Sequence, residues 1–305
     1  MVGRMLVRSV GGAVLVGSVL AATPAGALSC DDLSHRLQTA APSTPRAPGF
    51  ALVAPSRFPA APASPRITVD ARPPYVIARL SDAPEVHWWY GVFARRSDGC
   101  RLVGAVDAPD QIGERPSHRL VELPGGRVAL AIRAQARGGT GLVLIREAWY
   151  LLEERGLAAI LDYPVRGHMI GWPSTFDRSF ATTAVPRWQG SGVDELEVEF
   201  RASYTSGSYI YWMPVESLFT STRRAYYTWK PASQRFVLDP IRSDIDSDEI
   251  EGLFTDAEEQ FLRHNVQELV HLAARAHAGQ RVWLRQFLDS VPDGPEKRAV
   301  MESFQ

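Results

Sequence analysis

After residue 27 the sequence contains no long apolar run. None of its later stretches approaches the roughly 20 apolar residues that cross a bilayer, so no membrane span is predicted. The sequence also lacks an excess of charge of either sign, because the formal net charge of the 305 residues is −1. Without a basic stripe to neutralise phosphates, nucleic acid is not expected as a partner.

Common catalytic motifs are missing too. The sequence has no G-x-S-x-G nucleophile elbow and no H-E-x-x-H zinc motif. Its glycine-rich stretch at residues 137–141 lacks the lysine of a phosphate-binding loop. These absences count against serine hydrolases, zinc proteases and P-loop proteins. No cofactor and no metal are predicted.

The N-terminus has the pattern of an export signal. Arg4 and Arg8 precede an apolar segment at residues 10–22, and small residues follow at Ala25, Gly26 and Ala27. A basic region, a short apolar core and a small-residue cleavage site are typical of a secretory signal. Residues 1–27 are therefore predicted to be removed, and the mature protein to be periplasmic or secreted.

Only two cysteines are present, Cys30 and Cys100. An even cysteine count in an exported chain favours a disulfide. That bond would close a loop of about 70 residues and stabilise the fold by roughly 4 kcal/mol. The alternative is a lipoprotein, in which the loose box at residues 27–30 makes Cys30 a lipid anchor. Residues 28–66 are otherwise read as a short N-terminal segment and a Pro/Ala-rich linker.

Residues 67–240 are predicted to form a large antiparallel β domain. Its clearest strand covers residues 194–204, where apolar and polar side chains alternate as a half-buried strand requires. The residues expected in the core are Leu196, Val198, Phe200, Ala202 and Tyr204. Asp98-Gly99 and Gly125-Gly126 each lie between apolar runs and predict hairpins.

Residues 141–156 fit two structures. Their leucines, glutamates and alanines suit one long helix, whereas a turn at residues 154–156 would make a hairpin. The hairpin is favoured because the flanking chain reads as strand.

Residues 241–305 are predicted to form two to three helices packed on the β domain. Asp246 with Glu249, and Thr255 with Glu258, have capping-box spacing. Strands followed by helices indicate an α+β fold, here a large antiparallel, sandwich-like meander closed by a helical C-terminus.

Two clusters have partial metal-site spacing. Asp244, Asp246 and Asp248 resemble the start of a calcium loop, but its glycine and bidentate-glutamate positions hold other residues. An acidic helix N-terminus is the better interpretation. His264, Glu268 and His271 share one helix face, which is expected to point to solvent.

Aromatic residues are the most suggestive binding candidates. Exposed on a sheet, they could stack on sugar rings or on an apolar partner surface. Neighbouring aromatics on a strand point to opposite faces, so all of them can be buried only if both faces are covered. The candidates are Trp88, Trp89, Tyr211, Trp212, Tyr226 and Trp229.

These patterns predict a non-catalytic binding or interaction module of the cell envelope, with a glycan or another envelope component as partner. The alternative is a hydrolase that acts on glycan or cell-wall polymer. It would use carboxylates such as Glu195, Glu197 or Asp177.

Overall fold

A computed structural model describes residues 29–30, 66–81, 88–97, 99–108, 115–139, 141–153, 156–170, 176–206 and 216–304. The predicted export signal and nearly all of the linker lie outside these residues. The chain divides into two compact units. The first is Met1–Ala108 with Tyr150–Ala159, and the second is Pro109–Trp149 with Ile160–Gln305.

The first unit contains a four-stranded antiparallel sheet in the order β1-β2-β3-β4. Its strands are β1 Arg66–Arg72, β2 Tyr75–Ser81, β3 Trp88–Arg96 and β4 Gly99–Ala108. β3 and β4 form the hairpin predicted from Asp98-Gly99. The core of this sheet is made by buried side chains that include Val76, Ile77, Tyr90, Val92 and Phe93.

The predicted disulfide is confirmed. Cys30 is bonded to Cys100 at the start of β4, and Cys30 is buried. Lipidation would need the sulfur of Cys30, which the disulfide already uses. The bond thus attaches residues 29–30 to the first sheet.

An eight-stranded antiparallel sheet follows in the order β12-β11-β10-β9-β8-β7-β6-β5. Its strands are β5 Ser117–Leu123, β6 Arg127–Gly139, β7 Leu142–Glu153, β8 Gly156–Met169, β9 Phe176–Gln189, β10 Gly192–Ser206, β11 Glu216–Lys230 and β12 Arg235–Leu238. β7 and β8 confirm the hairpin interpretation of residues 141–156. β5 and β6 confirm the second predicted hairpin, whose turn has positive φ at Gly125 and Gly126.

β10 is the strand that the alternation predicted most clearly. All five expected core residues of this strand are buried. The strand pairs along its length with β9 on one side and β11 on the other. A central position buries one face of a strand completely, which explains why its period-2 pattern is the cleanest in the sequence.

The eight-stranded sheet curls, so that strands distant in its order approach one another. The ring of Phe236 on β12 lies 5.4 Å from that of Trp149 on β7, edge to face. Gly192 at the start of β10 lies against the backbone of Leu123 at the end of β5, where an added Cβ would be 2.3 Å from the Leu123 carbonyl carbon. Curling encloses the apolar side chains of one face.

The described residues from Ser247 to Glu302 form five helices, not the two to three expected. These are α1 Ser247–Thr255, α2 Glu258–His264, α3 Val266–Arg275, α4 Ala278–Ser290 and α5 Pro295–Glu302. Asn265 separates α2 from α3; it is buried, and its side-chain amide donates to the Phe261 carbonyl at 3.0 Å. Asparagine competes in this way with the helical backbone.

One of the two predicted capping boxes is confirmed. The Glu249 amide donates to the Asp246 carboxylate at 2.8 Å, and the Asp246 amide donates to the Glu249 carboxylate at 2.9 Å. The prediction for Thr255 is wrong, because Thr255 is the last residue of α1 and Ala257 precedes α2.

The helices pack on one face of β9–β11 through an aromatic cluster. Phe176 of β9 stacks on Phe261 of α2 at 4.3 Å, and Tyr204 of β10 approaches the same ring at 5.0 Å. Trp283 and Phe287 of α4 stack on each other at 5.2 Å beside them. No helix within the described ranges is both long and apolar enough to cross a membrane.

Candidate functional site

The face of β9–β11 opposite the helices is called the outer face. On β9 its exposed positions include Ser179, Ala181 and Thr183, which alternate with the buried or half-buried residues of the helix side. Because side chains alternate strictly along a strand, strand register decides which residues of β8 and β10 join them there.

A groove runs along β9 on this face. Ala181 pairs with Arg166 of β8 and with Arg201 of β10. The next row of the same face holds His168, Ser179 and Ser203. Strands lie roughly 5 Å apart, so Arg166 and Arg201 flank the small Ala181 at backbone positions roughly 10 Å from each other. These six residues define the β9 groove.

The cavity forms because β9 carries the small residues Ser179 and Ala181, whereas the neighbouring strands carry the longer Arg166 and Arg201. Its volume is about 510 Å³, and it is also lined by Val143, Gly167 and Phe180. That volume lies in the range of roughly 300–1,000 Å³ typical of ligand sites. Apolar atoms form part of the floor, and guanidinium, imidazole and hydroxyl groups also line the cavity.

The electrostatics of the β9 groove favour an anion. Among the described residues that line it, none is acidic. The nearest acid along β10 is Glu199, which accepts hydrogen bonds at 3.0 Å from Arg224 of β11. The positive charge of Arg201 is therefore not cancelled by that glutamate.

Further along the outer face lies the carboxylate row, Glu195, Glu197 and Glu199. Each glutamate has an arginine partner: Arg242 on Glu195, Arg187 on Glu197 and Arg224 on Glu199. The hydrogen bond from Arg187, 2.6 Å long, holds the pKa of Glu197 below its ordinary value. A glycosidase acid requires the opposite shift, so Glu197 is poorly suited to donate a proton.

The aromatic candidates have different environments. Trp88 in the first unit is 4% exposed, and Trp229 in the second unit is 5% exposed. Trp229 packs on Phe236 with the ring centroids 5.4 Å apart. Tyr211, Trp212 and the side chain of Trp89 lie outside the described residues. Binding by these aromatics stays a prediction, although Trp88 and Trp229 have little ring surface left for a ligand.

Tyr226 is the one candidate that the described structure places on the outer face. It is half-buried, and the guanidinium of Arg242 lies 4.4 Å from its ring centroid. Its neighbour Tyr227 points to the other face, where its ring is 6.5 Å from that of Tyr163. The two tyrosines therefore occupy opposite faces, as strand geometry requires.

The clusters with partial metal spacing have other partners. Asp246 caps α1, and His264 lies 2.7 Å from the Asp256 carboxylate. Glu268 was expected to face solvent, but it forms an ion pair at 2.7 Å with Arg223 of β11. The expectation is wrong for Glu268, which α3 turns toward the sheet, whereas His271 is exposed as expected. Within the described part of the chain, no group of three or more His, Cys, Asp or Glu is placed to hold a metal.

The residues of the β9 groove were not among the sequence candidates. Arg166 and His168 are alternate residues of one strand, and Arg201 and Ser203 are alternate residues of another. This spacing shows that each pair shares a face. It does not show that both pairs flank β9, because Arg166 and Arg201 lie 35 positions apart in the sequence.

Comparison of the chain with protein-family models found no match. A search among curated proteins likewise found none. Its function must therefore be inferred from the geometry of its own residues.

Proposed function

We propose that this protein is an exported, non-catalytic binding module whose β9 groove takes an anionic glycan of the cell envelope. One observation carries the proposal. Arg166, His168 and Arg201 surround a trough of small residues on an exposed sheet face, and no acidic residue lines that trough within the described residues.

Export is supported by two features. The Cys30–Cys100 disulfide belongs to an oxidising compartment, where such bonds form and persist. The N-terminal sequence has the order of a secretory signal. An anionic glycan suits the groove because guanidinium groups bind carboxylates through paired hydrogen bonds. The serines can pair with sugar hydroxyls.

Binding is favoured over hydrolysis by the state of the carboxylates. Glu195 and Glu197 are two of the three carboxylates that a hydrolase would use, and both have arginine partners on the outer face. Asp177, the third, is buried. A pair of carboxyl groups that share a cleft and differ in pKa is the usual requirement for glycoside hydrolysis.

Calorimetric titration with polygalacturonate, a carboxylated polysaccharide, tests the proposal. We expect binding that weakens as salt screens the charges, and none of neutral dextran. Arg201→Gln should weaken binding about tenfold, because a charge-assisted hydrogen bond contributes roughly 1.5–3 kcal/mol.

Arg285→Gln is the matched control. It removes the same charge from an exposed position of α4, on the helix side of the sheet. Polygalacturonate binding should remain as in the wild type. Equal losses in the two variants, or equal binding of dextran, would show that the β9 groove is not the glycan site.

A further inference from the structure

A second polar cavity lies on β5, β6 and β7 of the second unit, separate from the β9 groove. Its volume is about 240 Å³, and it is called the Glu147 pocket after its one acidic lining residue. The residues around it are Ser117, His118, Arg119, Ala131, Arg133 and Glu147.

Strand register explains how the pocket forms. Arg119 of β5 pairs with Ala131 of β6, and Ser117 pairs with Arg133. The small side chain of Ala131 leaves room for Arg119 to extend across β6 toward β7. There its Nη2 donates to Glu147 Oε1 at 2.6 Å.

Glu147 is a buried carboxylate, 4% exposed, with several donors around it. Its Oε1 also accepts from Trp149 Nε1 at 2.8 Å and from the Tyr163 hydroxyl at 3.0 Å. Burial raises the pKa of Tyr163, and the charge of Glu147 raises it further, so the phenol keeps its proton and remains a donor. The carboxylate is thereby held in one position.

The second oxygen of Glu147 is less engaged. The Nε atom of Arg133 lies 3.6 Å from Oε2, beyond hydrogen-bonding distance. Arg119 is fixed more firmly, because its guanidinium also lies 5.2 Å from the centre of the Trp149 ring. Glu147 and Trp149 therefore position Arg119, while Arg133 keeps its N–H donors for another acceptor.

The charge and size of the pocket define what it can take. Two guanidinium groups and one carboxylate leave a formal charge of +1 with His118 neutral. The side chains of Arg119 and Arg133 are 50% and 43% exposed, so a ligand can reach them. The volume is below that of sites for drug-sized molecules, which restricts the ligand to a few heavy atoms.

We propose that the Glu147 pocket binds a small monocarboxylate between Arg119 and Arg133, with Glu147 as a positioning residue. A planar guanidinium donates two parallel hydrogen bonds to a carboxylate. The single negative charge of a monocarboxylate balances the formal charge of +1 in the pocket. Ser117 offers a hydroxyl partner for a polar substituent.

The test is a ligand-observed NMR titration with lactate, in which lactamide serves as the neutral analogue of the same shape. Lactate should bind saturably and lactamide should not. Arg133→Gln should weaken lactate binding at least tenfold. Arg133→Lys should weaken binding less than Arg133→Gln does. Lysine keeps the positive charge but cannot donate two parallel hydrogen bonds from one planar group. A purely structural role for Arg133 would not separate lactate from lactamide.

Arg201→Gln distinguishes this pocket from the β9 groove. It should weaken polygalacturonate binding about tenfold and leave lactate binding unchanged. Arg133→Gln should weaken lactate binding and leave polygalacturonate binding unchanged. The proposal is wrong if lactate shows no saturable binding up to about 10 mM. Equal binding of lactamide, or tighter binding of inorganic phosphate, would also overturn it. Thermal unfolding confirms that each variant is folded.

Discussion

At the scale of single residues, burial sets the chemistry of the tyrosines on the helix side of the large sheet. Tyr204 is buried among the rings of Phe176, Phe219 and Phe261. Desolvation raises its pKa to about 12, and the nearby Arg178 opposes this only in part. A buried phenolate lacks water to solvate it, so the folded protein keeps the proton on Tyr204.

This shift predicts a loss of stability in alkaline solution. An unfolded tyrosine releases its proton near pH 10, whereas folded Tyr204 holds it until about pH 12. Its contribution is thus complete below pH 10 and is lost as the pH rises toward 12. At pH 11 the loss should be about 1.4 kcal/mol. Urea denaturation at pH 8 and pH 11 should show this loss in the wild type and not in Tyr204→Phe.

Other buried tyrosines, such as Tyr227, also have a raised pKa and add to the alkaline loss in both proteins. The informative quantity is therefore the difference between the wild type and Tyr204→Phe. An equal pH dependence in the two proteins would contradict the assignment to Tyr204.

At the scale of elements, register and close backbone contacts decide how the strands are arranged. Gly192 begins β10 at the point where the curled sheet brings β10 against β5. A Cβ at this position would lie 2.4 Å from the Pro124 nitrogen as well as 2.3 Å from the Leu123 carbonyl carbon. Because both atoms are backbone, no side-chain rotation can make room.

Gly192→Ala should therefore destabilise the protein. We expect a decrease in the free energy of unfolding of about 3 kcal/mol, at the upper end of overpacking costs, measured by urea denaturation. Gly139→Ala at the end of β6 is the control, since an added Cβ there meets nothing within 4 Å. It should change stability by less than about 1 kcal/mol. Similar losses in both variants would contradict the contact between β5 and β10.

At the scale of the whole molecule, the chain has two compact units and a disulfide that belongs to the first. Cys30 and Cys100 are 70 residues apart in the sequence. A cross-link of this span acts mainly on the unfolded chain, whose freedom it restricts. With two units, unfolding need not be a single cooperative transition.

Replacing both cysteines by serine should lower the stability of the first unit by about 4 kcal/mol. Hydrogen exchange followed by mass spectrometry should show this as faster exchange in peptides from β1 to β4. Thiol titration of the unreduced, unfolded wild type should detect no free thiol. Two titratable thiols, or unchanged exchange in those peptides, would contradict the role of the bond.

Local features were predicted from the sequence because their causes lie within a few residues. The alternation at residues 194–204 fixed which side chains of β10 face the core. Asp98-Gly99 and Gly125-Gly126 located two hairpins, and Asp246 with Glu249 located a helix start. The disulfide followed from a count of two cysteines in a chain with a predicted export signal. The helix breaks were harder, since the buried amide of Asn265 acts only in its tertiary setting.

The two proposed binding sites were determined by tertiary structure alone. Sequence spacing showed that Arg166 and His168 share a face, but only the strand register placed Arg201 across Ala181 from Arg166. In the same way, Arg119 reaches Glu147 because Ala131 lies between their strands. Sequence thus determined the strands, the turns and the disulfide, whose physics is local. Tertiary structure decided which charges meet, because register and strand order bring together residues that are distant along the chain.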